Sequence, residues 1–371
     1  MQTGLTSGAI DPTSVTEVGS GFQMLAMLLT LGLGPLSKPW RTSQMKKSLV
    51  ALAVLAASGA AMAQSSVTLF GIVDAAYTSG SGSVSDKTQL TNSGYNSSRL
   101  GFRGVEDLGG GMKASFHIEG ALANDNGNAS GLTFQRRSTV SLQGGMGELR
   151  LGRDYTPQFW NHTVYDAFGT NGVGSSRALN GYGGATAVRA DNTIGYFSPT
   201  MGGLQLQLQT YLSENASTAA KVNNGNGLRL TYAQGKFTVA VASSTTTTGA
   251  TTKIESTNIG ASYDLGVAKV MALSTTDAAT GFADAKGMNI GALVPLAGGT
   301  FRIASSSSKR AAVETKQTAV GYVMPLSKRT DIYATYARVT NAGGANVALG
   351  GSATAANGSS NAYDLGVKHS F

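Results

Sequence analysis

The residues best suited to chemistry in this chain are arginines that alternate with apolar side chains. Arg99 falls on the opposite parity from Leu100 and Phe102, so in an extended chain it would share a face with small and polar neighbours. The same parity holds for Arg103 on the same segment and for four residues on other segments: His117, Glu119, Arg137 and Arg189, the last together with Asp191. A guanidinium stays charged at any relevant pH, and a cluster of them beside acids selects ions by charge. We therefore predict electrostatic selection of ions. The alternative is that each arginine is only a solvated side chain.

Strands are the elements that must position these residues, because alternation with a period of two recurs along the chain. Leu204, Leu206 and Leu208 alternate with three glutamines, and the last ten residues, up to Phe371, alternate in the same way. Counting such segments gives about sixteen strands. Their centres lie near residues 71, 99, 117, 137, 151, 194, 207, 230, 240, 259, 271, 290, 303, 318, 335 and 366.

The connections between these segments are of two kinds. Some are tight turns, such as residues 233–236, and others are long and polar, such as residues 341–358. Short turns that alternate with long loops are typical of an outer-membrane barrel. We therefore predict an all-β, 16-stranded antiparallel transmembrane β-barrel. A secreted β-sandwich or β-helix would also alternate, but it would need a second apolar layer to cover its sheet, and none remains.

Two further arginines break the parity. Arg136 and Arg153 fall on the apolar face of their segments, where a charge facing lipid would cost about 2–4 kcal/mol at mid-membrane. A β-bulge could reverse the register, or both residues could lie at a rim or at a subunit interface. All of these placements remain open at this point.

The longest connection in the first half of the chain spans residues 156–188. It contains five aromatic residues and many glycines, and its acids are Asp166 and, at its base, Asp154. Long loops are usually functional or disordered, and the aromatic content argues against disorder. We expect this loop to pack against the barrel wall.

An export leader begins at Met45. Two lysines precede an apolar stretch, and Ala61-Met62-Ala63 supplies the small residues of a cleavage site before Gln64. We therefore expect residues 45–63 to be a secretory signal peptide, residues 64–371 to be the barrel, and residues 1–44 to be a non-native upstream extension. An extended signal region is the alternative for residues 1–44. Removing residues 1–63 takes away four basic and two acidic groups, so the remaining 308 residues keep a net charge of +6.

Several motifs in this chain resemble the trimeric general porins of β-proteobacteria. They are Ser98-Arg99-Leu100-Gly101-Phe102-Arg103-Gly104-Val105-Glu106-Asp107-Leu108-Gly109-Gly110-Gly111-Met112-Lys113-Ala114, Arg136-Arg137-Ser138-Thr139-Val140-Ser141-Leu142, Leu149-Arg150-Leu151-Gly152-Arg153-Asp154, Ser65-Ser66-Val67-Thr68-Leu69-Phe70-Gly71 and His369-Ser370-Phe371. The resemblance runs from Met45 to Phe371, and it is dense up to about Asp154 and thinner in the middle strands.

This resemblance implies a homotrimer in the outer membrane of a Gram-negative bacterium, in contact with lipid and lipopolysaccharide. It implies that the third long loop, residues 156–188, folds inward and narrows the pore. It also places a basic wall at Arg99, Arg137 and Arg189, with acids facing it at Glu119 and, as a weaker match, Asp166. The expected function is passive diffusion of small hydrophilic solutes and inorganic anions through a water-filled channel.

Other functions find little support in the sequence. A barrel enzyme would need a nucleophile with an oriented histidine, but the chain has three histidines and no Gly-x-Ser-x-Gly elbow accompanies them. An adhesin or autotransporter would carry a passenger or a plug helix, for which 308 residues leave no room. We expect no catalytic residue, no metal site, no cofactor and no nucleic-acid partner.

Overall fold

The computed structural model of the protein describes residues 66–127, 133–176, 187–215 and 221–371. These residues form one antiparallel sheet of seventeen strands and one α-helix, α1 (Pro157–Val164). In chain order the strands are β1 (Ser66–Gly82), β2 (Lys87–Asn92), β3 (Arg99–Gly109), β4 (Met112–Ala121), β5 (Arg137–Gly144), β6 (Gly147–Tyr155), β7 (Arg189–Phe197), β8 (Leu204–Tyr211), β9 (Gly225–Gln234), β10 (Phe237–Thr247), β11 (Lys253–Asp264), β12 (Lys269–Ala279), β13 (Ala285–Leu296), β14 (Gly299–Arg310), β15 (Val313–Pro325), β16 (Thr330–Ala342) and β17 (Ser359–Ser370). The predicted leader at 45–63 and the extension at 1–44 lie outside the described residues.

The sheet closes on itself because its first and last strands pair. β1 pairs with β17 from Ile72 opposite Ser370 to Gly82 opposite Ser360. On its other edge, β1 pairs with β3 along residues 66–72 and with β2 along residues 75–80. β2 and β3 therefore follow one another in a single position of the wall. Seventeen strands therefore make sixteen positions. Closure leaves no row of unpaired backbone groups, and the prediction of a 16-stranded antiparallel barrel is confirmed.

The strands place apolar side chains outside and polar ones inside. On β8, Leu204 and Leu208 are 45% and 43% exposed, whereas Gln207 and Gln209 are 7% and 4% exposed. This is the reverse of a soluble protein, and it is the distribution expected when lipid surrounds the wall. Among the described residues, no helix is long and apolar enough to cross a membrane.

The two rims of the barrel differ. Both ends of the strand-forming chain lie at one rim, where Gly71 and Phe371 exchange two backbone hydrogen bonds of 3.1 Å. Short turns such as residues 264–269 and 296–299 lie at this rim, which we call the short-turn rim. The long connections, including residues 342–359, lie at the opposite rim, the long-loop rim.

The third connection at the long-loop rim folds into the barrel. Its helix α1 packs against the inner face of β8–β11, and Asn161 donates to Ala240 O at 3.1 Å and to Asn258 Oδ1 at 2.8 Å. An apolar cluster therefore lies between this loop and the wall. Among the described residues it contains ten buried side chains: Ala167, Phe168, Val173, Met271, Ala304, Ala319, Ala337, Val339, Leu349 and Ala362.

A buried aspartate fastens the first long loop to the wall of the barrel. Asp74 on β1 is fully buried, and its carboxylate accepts hydrogen bonds from the Tyr333 hydroxyl and from the backbone N–H groups of Tyr95 and Asn96. Those last two residues lie in the interruption between β2 and β3. The break in the wall is thus held in place by one carboxylate.

Substituting Asp74→Ala should destabilise the barrel, because it leaves three donors without an acceptor. Each stranded buried donor costs about 1–3 kcal/mol, and two of the three donors are only partly buried, so we expect a loss of roughly 1–3 kcal/mol. The measurement is the urea midpoint of unfolding in detergent micelles. Asp284→Ala, which removes an exposed carboxylate, is the matched control. An equal midpoint for both variants would contradict the anchoring role of Asp74.

Candidate functional site

A cavity of about 700 Å³ lies inside the barrel between α1 and the strands that precede and follow it. Arg99, Arg137 and Arg189 all line it. Three further arginines share the lining: Arg136, Arg150 and Arg302. The carboxylates in the lining are Glu119, Glu148 and Asp154. Six guanidiniums against three carboxylates give this site, the basic cavity, a net charge of +3 from its described residues.

Glu119 lies within the basic cluster and does not face it from a separate side. Its strand β4 runs between β3 and β5, so the carboxylate is flanked by cations from both neighbours. Arg99 Nη1 lies 3.7 Å from Glu119 Oε1, Arg136 Nε donates to the same oxygen, and His117 Nε2 lies 3.3 Å from Oε2. Glu119 is only 4% exposed. One buried carboxylate therefore holds two guanidiniums in place.

A second group of ion pairs is built on β6. Arg150 makes a bidentate contact with Glu148, at 2.8 and 3.0 Å, and its Nη1 donates to Asp154 Oδ2 at 2.7 Å. Arg137 Nε lies 3.5 Å from the other oxygen of Asp154. Residues 148, 150 and 154 share one parity of the strand, so the alternation itself brings them together.

Two arginines in the cavity make no ion pair within the described part of the chain. Arg189 stacks over the Tyr155 ring at 4.4 Å and donates to its hydroxyl at 2.8 Å. Arg302 lies 4.5 Å from the Phe168 ring, and its Nε donates to the backbone oxygen of Ala167 at 2.7 Å. Aromatic faces and neutral acceptors hold a guanidinium without cancelling its charge. These two side chains therefore contribute uncompensated positive charge.

Asp166 lies elsewhere. Its carboxylate is buried inside the loop, where it accepts hydrogen bonds from Phe168 N at 2.8 Å, Ser176 N at 3.1 Å and Ser176 Oγ at 2.9 Å. It is not among the residues that line the basic cavity. Asp166 therefore stabilises the conformation of the loop, because its carboxylate oxygens accept hydrogen bonds from the loop itself.

The two arginines that broke the parity have different explanations. Arg136 precedes the first residue of β5, so strand parity does not apply to it, and its Nη2 donates to the Tyr155 hydroxyl at 3.2 Å inside the cavity. Arg153 lies on the outer face beside a β-bulge between β6 and β7, where it pairs with Asp191. The expectation that Asp191 lies on an inward face with Arg189 and Thr193 is wrong. The bulge lies between Ala190 and Thr193, so Thr193 is buried while Asp191 is exposed on the outer face.

Sequence parity could also have indicated Arg150 and Arg302. Arg150 alternates with two leucines, and Arg302 lies between Phe301 and Ile303, the same signal that indicated Arg99. Arg136 could not have been found in this way, because it does not alternate with apolar neighbours on the inward parity of its segment.

A second cavity, of about 690 Å³, lies beyond the loop on the side of the long connections. Phe159 and Thr170 border both cavities. Hydroxyl and amide side chains dominate its described lining, which contains Asp277 and Asp364 but neither lysine nor arginine. The described lining of the second cavity therefore adds no basic charge. No group of three or more histidine, aspartate and glutamate side chains in the described residues is placed to hold a metal ion.

The comparisons with known proteins agree with this geometry. Residues 48–344 match the family model described as Gram-negative porin. The chain belongs to this family. It is 38% identical to outer membrane porin protein 32 of Delftia acidovorans, over 88% of this chain and all of the relative. It is 29% identical to an outer membrane porin protein of Bordetella pertussis, over 78% of this chain and 93% of the relative.

Solved structures of outer-membrane proteins show the same fold. The anion-selective porin from Comamonas acidovorans superimposes with a TM-score of 0.77 at 34% identity, covering 83% of this chain and all of that one. The trimer form of OmpT from Vibrio cholerae gives a TM-score of 0.62 at 11% identity, covering 83% of this chain and all of that one, and therefore shows the fold alone. This chain is an outer-membrane porin of a Gram-negative bacterium, so its short-turn rim faces the periplasm and its long-loop rim faces the exterior.

The inward position of the third loop depends on a glycine in the wall. Tyr165 is fully buried at the end of α1, and its ring occupies the space that a Cβ on Gly260 would take. Burial raises the pKa of the Tyr165 phenol, because its ionised form would lose hydration, while Arg229 nearby acts in the opposite direction. Arg229 Nε also donates to Asn161 Oδ1 at 2.9 Å. The loop is therefore held against the wall by the packing of Tyr165 on Gly260 and by the hydrogen bond from Arg229 to Asn161.

Substituting Gly260→Val should displace Tyr165 and loosen the loop, at a cost of about 1–3 kcal/mol from overpacking. We expect larger fluctuations of the open-channel current in planar bilayers, because the loop that borders both cavities is no longer fixed. Ala261→Val, which adds volume to the outer face of the same strand, is the matched control. Unchanged current fluctuations in a folded Gly260→Val barrel would contradict the docking of the loop on this strand.

Proposed function

We propose that this porin is a water-filled channel for passive diffusion of small hydrophilic solutes and inorganic ions, with a preference for anions that is set in the basic cavity. The observation that carries the proposal is the excess of guanidiniums over carboxylates where the loop folds against the wall. Arg189 and Arg302, without ion pairs in the described chain, supply two of the three net charges. The third arises because Arg99 and Arg136 share the single carboxylate of Glu119. Selection of this kind needs no bond-making residue.

The donor groups of the cavity support the proposal. The Nε groups of Arg99 and Arg189 are buried and have no hydrogen-bond acceptor within the described chain, and Arg137 Nε has only its 3.5 Å ion pair with Asp154. Each guanidinium carries five N–H donors and borders the cavity, so the donors that face it can hydrogen-bond to a passing anion or to its hydration water. A solved relative that is 34% identical carries the description anion-selective, which supports the same preference for this chain.

The assignment of individual residues follows from the contacts. Arg99, Arg137 and Arg189 form the basic wall, joined by the three further arginines of the cavity. Glu119 sets the position of the wall, and Asp166 sets the shape of the loop. We further propose a homotrimer in contact with outer-membrane lipid and lipopolysaccharide, and a leader at residues 45–63 that is removed before residue 64. Both rest on the family resemblance and on the sequence pattern.

Replacing Arg99, Arg137 and Arg189 by glutamine removes three charges and brings the described lining from a net +3 to zero. The anion-to-cation permeability ratio should therefore fall severalfold, towards one. The measurement is the reversal potential across a planar bilayer under a salt gradient. It should be made near 0.1 M, where the Debye length is about 10 Å, because salt near 1 M shortens that length to about 3 Å.

The matched control replaces Lys236, Lys269 and Lys328 by glutamine. These lysines belong to the periplasmic turns or their flanking strand ends, so the total charge changes equally while the cavity does not. If the arginine variant keeps the anion preference of the unmodified porin, the basic cavity is not the selecting site. An equal loss in both variants would show that overall charge, rather than this site, sets the preference.

Arg302 allows charge and geometry to be separated. Arg302→Gln removes the charge, and Arg302→Lys keeps it, while both lose the guanidinium Nε that donates to Ala167. We expect the glutamine variant to lower the permeability ratio and the lysine variant to retain it, measured as reversal potentials under the same conditions. Equal ratios in the two variants would limit Arg302 to positioning the loop.

A further inference from the structure

The outer face of the barrel carries a second concentration of positive charge, at the long-loop rim. Four exposed basic side chains lie there on neighbouring strands, β13, β14, β15 and β16. They are Lys286, Lys309, Lys316 and Arg338, and we call them the outward basic patch. On β13, β15 and β16 the residues on either side of the cation are buried, so the cation itself points out of the barrel. The patch is therefore separate from the basic cavity.

The strand register places these cations next to one another. Lys286 is directly opposite Lys309 across the β13–β14 pair. Directly opposite residues in an antiparallel pair have Cβ atoms about 4.5–5.5 Å apart, and like charges in that position destabilise the sheet. Lys316 lies opposite Ser307, the next outward position from Lys309 on β14. The sequence thus holds three lysines within one small area of the wall.

One carboxylate on these strands shares the outward face with the patch. Glu314 is opposite Lys309 and contacts Lys316 Nζ at 3.2 Å. The other three cations of the patch make no ion pair in the described chain. The four strands carry four cations and one acid on this area, and one more exposed acid, Asp284, lies two residues before Lys286, so the cations remain in excess. Elsewhere on the outer face at the same rim, Arg153 is paired with Asp191. The patch is therefore short of negative charge, and an anionic group from outside would relieve the repulsion.

The height of the patch on the wall corresponds to lipid head groups. Three outward tyrosines form an aromatic belt: Tyr336 lies opposite Tyr363, and the ring of Tyr363 is 6.2 Å from that of Tyr77. Arg338 is the next outward position beyond Tyr336 on β16. Tyrosines on the outer face mark the membrane interface of such barrels. Two residues along a strand span about 7 Å, so Arg338 lies about that far beyond the aromatic belt. Below Lys286 the outward positions of β13 become apolar and exposed.

We propose that the outward basic patch is a binding site for the phosphate groups of the outer-leaflet glycolipid, the lipid A part of lipopolysaccharide. Its cations match phosphates in charge, and the apolar band beneath them, with Met288, Ile290 and Ile303 exposed, matches the acyl chains. Free inorganic phosphate would use only the first of these contacts. The inference deepens the proposed contact with lipopolysaccharide and rests on the outer-membrane location. It is independent of the anion preference of the pore.

The experiment compares three forms of the full porin in detergent: the unmodified chain, Lys286→Gln with Lys309→Gln, and Lys236→Gln with Lys269→Gln as the matched control. The probe is bisphosphorylated lipid A, titrated and followed by native mass spectrometry. An adjacent basic residue strengthens binding to an anionic lipid about fivefold, so the first double variant should bind roughly 25-fold more weakly. The control should bind like the unmodified chain.

Two further arms identify the chemistry. Dephosphorylated lipid A should bind the unmodified chain as weakly as bisphosphorylated lipid A binds the patch variant, and inorganic phosphate at the same concentration should not compete. Equal binding of lipid A to all three proteins would overturn the proposal, as would an equal loss in the control variant. A patch variant that no longer runs as the unmodified oligomer in unheated electrophoresis would place these residues in a subunit contact and would also overturn it. Reversal potentials of the same variant test the pore separately and should not change.

Discussion

The constraint on which the rest of this structure depends is that hydrocarbon offers no hydrogen-bond partner to a peptide group. Every backbone donor and acceptor in the membrane must be paired inside the protein, so a sheet has to close. Closure between β1 and β17 fixes the wall, and a wall of sixteen positions encloses more space than its own inward side chains fill. The interior can then hold water, polar side chains and a folded loop. The inverted distribution of apolar residues follows from the same cause.

Charge inside such an interior has to be held in position, because six guanidiniums in one cavity repel one another. The structure does this in two ways. Glu119 and Asp154 are buried carboxylates that each contact two arginines, while aromatic rings hold Arg189 and Arg302 by their faces. The first arrangement neutralises charge and the second does not. The net charge of the described lining therefore has two sources: the two arginines without a carboxylate, and the pair, Arg99 and Arg136, that shares one.

Much of the fold and part of the site could be predicted from the sequence, because parity is a local property of a strand. It indicated the sixteen wall positions and the cavity arginines Arg99 and Arg137. Parity predicted the wrong face for residues at irregular positions of a strand or beside its end. The bulge after residue 152 turns Asp191 outward, and Arg136 lies one residue outside its strand. Asp166 could not be assigned because the contacts of a loop depend on tertiary packing. The interruption between β2 and β3 was missed for the same reason.

The two basic regions differ in residue type, and the difference follows from what each has to recognise. The six cations in the described lining of the cavity are all arginines, whose planar guanidinium can contact two carboxylates at once, as Arg150 does, or lie flat on a ring. Three of the four cations in the outward basic patch are lysines, with flexible stems and compact, strongly hydrated charges. A passing ion meets the channel for a short time, so the charges that select it must be fixed beforehand. A lipid head group can settle into many positions, and mobile ammonium groups can follow it. The same barrel wall therefore carries fixed arginines on its inner face and flexible lysines on its outer face, each suited to its ligand.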